Sequence, residues 1–235
     1  MAARLNERFR SAHFSSRLSE AGVLLRSLDH TEDQSRPWQG CVDPAAARAR
    51  SRDNADCAEL GGRLSAMFVS AAQSAGNRRI PIFSPNRAGV VYRPEAIERA
   101  QALACVYGND GGTRGKADGC AASSGEVPDW CPRPGSKDEV WCDGRPHPIK
   151  NLDALLRFNA ERGGYNECIL GAANLAAALP QAVEALFYVA GAYASVVEAR
   201  ATYARFLDVY GEDADVALVQ IDPNDWESPF SSAER

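Results

Sequence analysis

The 235-residue chain is poor in imidazole, poor in methionine, and lacks any excess of positive charge. Its three histidines, His13, His30 and His147, all lie in polar sequence, so a three-histidine metal site would consume every imidazole present. With 26 Lys and Arg against 31 Asp and Glu, the net charge is -5, which argues against a nucleic-acid binder needing a basic stripe to neutralise phosphates. No apolar run approaches the roughly 20 residues needed to span a bilayer, so no membrane span is expected. Residues Met1 to Ser16 contain no apolar h-region of a signal peptide, and the chain has no N-x-[ST] sequon. A G-x-S-x-G nucleophile elbow is missing too, which removes the most legible serine-hydrolase signal.

What is present is an ordinary globular composition, 45% hydrophobic and 24% charged, in a chain long enough to bury a core without staples. Seven cysteines stand at Cys41, Cys57, Cys105, Cys120, Cys131, Cys142 and Cys168. None form the close C-x2-C pair with which a short turn offers two thiolates to one ion, so no metal is expected, although His147 follows Cys142. Disulfides fit better, because Cys120, Cys131 and Cys142 are evenly spaced through a stretch rich in Gly, Pro and Ser with little core of its own. The odd count leaves at least one thiol free or paired between chains. Cys168 is the choice, in an apolar strand pattern where a small buried thiol packs like Ala or Val. These cysteines suggest an oxidising compartment, secreted or lumenal; seven reduced thiols in a cytosolic protein is the alternative.

Along the chain, Ala2 to Ala12 reads as a short helix with Arg4, Glu7 and Arg8 solvated. Val23 to Leu28 reads as a strand. Leu60, Leu64, Met67, Phe68 and Ala71 recur at helical spacing and predict a helix. Strands are predicted at Arg79 to Ser84, Gly89 to Tyr92 and Leu103 to Tyr107, with a short helix opened by Pro94 at its first turn. After residues 108–150 come a helix from Asn151, a strand from Tyr165 to Leu170 and a short helix from Ala172 to Leu179. In Val183 to Val189 the odd positions alternate with Glu184, Leu186 and Tyr188, which predicts a strand. Ser195 to Tyr210 predicts a helix closed by Gly211, and Val216 to Ile221 a last strand.

This interleaving predicts one α/β domain over residues 1–235, a twisted mixed sheet flanked by helices, with α+β the alternative. Residues 108–150 form a disulfide-stapled excursion from it. Residues 223–235 form an acidic C-terminal tail; from Asp208 onward there are eight acids and one base, read as a solvated surface segment.

Candidate chemistry concentrates in three places. Gly108 to Lys116 is glycine-rich and follows a strand, but a P-loop register would put Asp110 at its first glycine and Ala117 at its magnesium-binding Ser or Thr. Asp110 is retained as a supporting polar group. Glu167 stands near the start of an otherwise apolar strand, Tyr165-Asn166-Glu167-Cys168-Ile169-Leu170, the setting that raises a carboxyl pKa for acid–base work. Arg26 sits similarly in the first strand, flanked by Leu24, Leu25 and Leu28. Together Arg26 and Glu167 read as a structural ion pair or as catalytic groups.

An arginine on an early strand and a glutamate on a late one resembles the layout of ADP-ribosyltransferase folds. That resemblance implies an Arg26 supporting a nicotinamide dinucleotide and a Glu167 stabilising the ribosyl transition state. It covers this arrangement of strands alone: the middle S-T-S motif is absent, with only Ser84 in Phe83-Ser84-Pro85, and Tyr165 stands where the family places the first Glu or Gln of E-x-E.

A transferase or hydrolase acting through Glu167, with Arg26 and Asp110 in support, is the preferred reading; the residues specify no cofactor. The alternative is a non-catalytic module for a glycan or a protein. Trp38, Trp130, Trp141 and Trp226, with Tyr107, fall in loop-like or strand-end sequence near Asp and Asn, as sugar recognition requires.

Overall fold

The computed structural model describes residues 1–11, 22–27, 63–71, 79–80, 82, 88–100, 103–107, 167–171, 178 and 180–233. The excursion at 108–150, five of the seven cysteines (Cys41, Cys57, Cys120, Cys131 and Cys142), His147, Asp110 and the helix expected from Asn151 lie outside them.

The described elements are helix α1 (Ala2–Arg10), strands β1 (Val23–Ser27), β2 (Arg63–Val69) and β3 (Gly89–Tyr92), helix α2 (Pro94–Arg99), strands β4 (Leu103–Tyr107), β5 (Glu167–Gly171) and β6 (Val183–Val189), helix α3 (Tyr193–Tyr210), and strands β7 (Ala217–Ile221) and β8 (Phe230–Ser232). They build one eight-stranded sheet in the order β4-β5-β2-β1-β3-β6-β7-β8. Every neighbouring pair is antiparallel except β6 and β7, which run parallel with α3 as their crossover. The mixed sheet with flanking helices is the expected class.

One expected helix is a strand. The run through Leu64, Met67 and Phe68 is β2, held between β1 and β5. A strand in the middle of a sheet buries both faces, so it reads as a nearly continuous apolar run in which a helical spacing can be picked out by chance. Here Met67 and Val69 join the core under α1, while Ala66 and Phe68 are buried with the opposite parity. The strand expected from Arg79 is not found at Arg79, Ile80 or Ile82; Ile80 is buried and its N–H donates to the Pro223 carbonyl at 2.8 Å.

One face of the sheet carries α1. Leu5 and Phe9 pack with Val23, Leu25, Val91, Phe187, Val219 and Phe230, a periodicity-of-two set drawn from five strands. The other face carries α3 over β6 and β7, where Ala199 meets Tyr188 and Leu218. Helix α3 ends at Gly211 as its sequence predicts.

The segment read as a solvated tail supplies the edge strand β8, with Phe230 only 2% exposed. Bonds from Asp222 N–H to the Pro229 carbonyl (2.9 Å) and from Ala233 N–H to the Leu218 carbonyl (3.3 Å) fix the antiparallel alternation. Phe230, opposite Ile221, therefore turns its N–H and C=O away from β7. Asn6 of α1 meets both: its Nδ2 donates to the Phe230 carbonyl at 2.7 Å and its Oδ1 accepts the Phe230 N–H at 3.0 Å. A side-chain amide thus takes the place of a ninth strand and blunts the sheet edge.

Close approach between strands fixes two glycines. Gly22 has φ 73° and lies so near the Phe68 ring that a Cβ would overlap it. Gly89 opens β3 opposite Phe187, and a Cβ there would overlap both that ring and the Arg26 carbonyl. Gly89→Ala is expected to lower unfolding free energy by about 1–3 kcal/mol, the usual cost of overpacking, in a urea titration. An unchanged midpoint would contradict this packing of β3 on β6.

Candidate functional site

The antiparallel order brings the C-terminal ends of β4, β2 and β3 and the N-terminal ends of β5, β6 and β7 to one end of the sheet. Tyr107, the last residue of β4, pairs directly with Glu167, the first of β5. Glu167 therefore stands at the corner of the sheet from which residues 108–166 leave and to which they return, while Asp110 lies outside the described residues.

Arg26 does not join that corner. Strand β2 lies between β1 and β5, so two strand spacings, roughly 10 Å, separate them. Leu25 pairs with Met67, and Ala66 pairs with Cys168. Arg26 thus shares the level and parity of Ala66 and Cys168, whereas position 167 has the parity of Met67 and Leu25. By register, positions 26 and 167 fall on opposite faces, and the sheet does not bring together the pair that the ADP-ribosyltransferase likeness requires.

The neighbour of Arg26 is Tyr92. Arg26 pairs with Val90 and Leu24 with Tyr92, so Arg26 and Tyr92 share a face diagonally across β1 and β3. Burial pushes the Tyr92 phenol from 10.0 up to about 12, because a phenolate there would lose its hydration; the positive charge of Arg26 pulls the other way.

Among the described residues, the most elaborate polar cluster was not a sequence candidate. Val91 pairs with Ala185 but Tyr92 pairs with Val183, so Glu184 has no opposite number on β3 and forms a β-bulge. The extra residue turns the carboxylate toward α1, where it is fully buried. Arg8 grips it with two bonds, Nη1 to Oε1 at 3.1 Å and Nη2 to Oε2 at 2.6 Å, and Arg4 adds a third. Arg8, expected in solvent, is buried. Arg93, just after β3, reaches Asp215, its Nη2 donating to the backbone carbonyl at 2.8 Å and to Oδ2 at 3.2 Å. The signal was a lone acid inside an apolar strand together with two arginines four apart on one helix face.

Cys168 is fully buried in β5, in the packing role its sequence predicts. Among the described residues no group of His, Cys, Asp and Glu is arranged to hold a metal, and no helix is long and apolar enough to cross a membrane. Trp226, one of the four indoles, is half-buried in the loop between β7 and β8, where the Asp225 carboxylate accepts the Glu227 and Ser228 amides. Trp38, Trp130 and Trp141 lie outside the described residues. No protein-family model matches the chain, and no curated protein matches its sequence.

Tyr92 gives the Arg26 side of the sheet a pH signature. Its folded-state pKa lies above the unfolded value, so its contribution is constant below pH 10 and is lost as pH rises from 10 toward 12. Ultraviolet difference titration of the folded protein is expected to show one tyrosine ionising near 12, and Arg26→Gln to move it higher still. A Tyr92 titrating with exposed tyrosines would contradict its burial.

Proposed function

We propose that the chain is an enzyme of the transferase or hydrolase class, working through Glu167 at the corner where β4 ends and β5 begins. The observation that carries this reading is the pairing of Tyr107 with Glu167. It ties a strand-end carboxylate to the two stems of the long segment 108–166, in whose sequence Asp110 comes three residues after Tyr107. Strand ends crossed by long loops are where folds place reactive groups, because the sheet fixes one residue while the loops shape the rest. Glu167 takes the acid–base or charge-stabilising role and Asp110 the supporting one. Arg26 acts at a distance, on the Tyr92 side of the sheet. The cysteine spacing continues to favour a secreted or lumenal setting.

A second reading, a glycan-binding module, draws on Trp226. This half-buried indole sits in a short loop with Asp222, Asn224 and Asp225, an apolar ring beside hydrogen-bonding groups.

The two separate in one experiment. Purified protein is tested for turnover of chromogenic glycosides, phosphoesters and acyl esters and for nicotinamide dinucleotide cleavage, and for binding on a glycan array. The enzyme reading expects turnover that falls about 10²-fold or more in kcat in Glu167→Gln, with KM little changed and the unfolding midpoint kept. Turnover indifferent to Glu167→Gln, or glycan binding without turnover, would overturn it.

A further inference from the structure

Among the described residues, two buried side-chain polar atoms have no hydrogen-bond partner, and both are guanidinium Nε atoms: those of Arg8 and Arg93. Native structures rarely leave such donors empty, and an ordered water or an ion is the usual explanation. Both arginines attach at the start of β6, Arg93 through its backbone and Arg8 through its side chain, and the Arg93 guanidinium runs on to Asp215 just before β7. Arg93 anchors there through its own backbone, its N–H donating to the Ala182 carbonyl at 2.8 Å. Arg8 arrives from α1 and grips Glu184, two residues further on and about 7 Å along the strand. The bulge at Glu184 is the place where Arg8 bonds.

Among the described residues, the charges joined by these ion pairs are unbalanced. Arg4, Arg8 and Arg93 supply three positive charges, and the carboxylates they touch, Glu184 and Asp215, supply two negative ones. Glu184 already takes three guanidinium bonds. The remaining Nε–H groups are held rigidly, since each guanidinium is fixed by bonds through its Nη atoms. The Arg8 side chain is 10% exposed and that of Arg93 27%, while Arg4, at 52%, opens the cluster to solvent. Fixed, partly dehydrated guanidinium donors with a surplus positive charge suit an oxyanion, whose several lone pairs accept from more than one planar fork.

We propose that the start of β6, between α1 and the end of β3, is a binding site for a small oxyanion of the phosphate class, free or borne by a larger ligand. The site is independent of the Glu167 corner, which lies four strands away on β5. Glu184 positions Arg8; Arg93 and the exposed Arg4 complete the donor set.

The probe is inorganic phosphate, titrated into the full chain against sodium chloride at matched ionic strength, with arginine Nε–H resonances followed by NMR. Saturable shifts at Arg8 and Arg93, with Arg205 on α3 unmoved, are expected. Arg93→Gln, whose side chain is partly exposed, is expected to fold and to weaken binding about tenfold or more. If phosphate saturates the site, a phosphate monoester competing for the same shifts identifies a ligand-borne group, and a monoester that fails to compete identifies the free ion. Shifts that follow ionic strength alone, shifts equal at Arg205, or binding unchanged in Arg93→Gln would overturn the proposal and leave water as the partner of both Nε atoms.

Discussion

The Arg8–Glu184 ion pair is the contact on which this arrangement turns. An ionised carboxylate without water is unfavourable by several kcal/mol unless it is paired and fully hydrogen-bonded. Glu184 is 0% exposed, so the fold has to deliver a guanidinium to it. The β-bulge aims the carboxylate at α1, and the bidentate grip of Arg8 answers it. A one-residue offset in either element would leave a buried charge unpaired, so the pair sets the register of α1 on the sheet as firmly as apolar packing does.

Other contacts follow from that placement. With Arg8 fixed, Leu5 and Phe9 fall into the core built by Val23, Leu25, Phe187 and Phe230. Asn6, on the same helix, then reaches the outward-facing peptide groups of Phe230 and closes the edge of the sheet. One short helix thereby ties its own strand neighbour, β1, to the last strand of the sheet. The Arg8 carbonyl also accepts the Gly22 N–H at 2.8 Å, where the chain enters β1. Polar bonds, rather than apolar area alone, specify where α1 sits.

The physical signals in the sequence had uneven reach. Period-two alternation in Val183 to Val189 and the apolar run of Val23 to Ser27 disclosed β6 and β1, and Gly211 disclosed the end of α3. The same logic misread β2, because a central strand buried on both faces carries no alternation to read. Phe230 lay hidden in an acidic stretch, where eight acids outweighed one buried ring that finds its place only through Asn6, 224 positions away. Arg8 and Glu184 are 176 positions apart, and nothing local tells a guanidinium that its partner is a bulged carboxylate. Glu167 was legible as a residue type; that it stands opposite Tyr107 follows from β4–β5 pairing, and that Arg26 stands apart from it follows from β2 lying between.

Around this frame the polar groups divide by place: Glu167 at the corner of β4 and β5, guanidiniums at the start of β6, and a buried tyrosine beside Arg26 between them. The claim beneath all three is that a buried charge pair holds α1 to the sheet. A double-mutant cycle with Arg8→Leu, Glu184→Leu and the double variant, read by urea unfolding, tests it most directly. A double variant more stable than the two single losses would sum to, by about 2 kcal/mol or more, is the expected result, because each single change strands a charge that the double change removes. Additive losses, agreeing within about 0.5 kcal/mol, would contradict it.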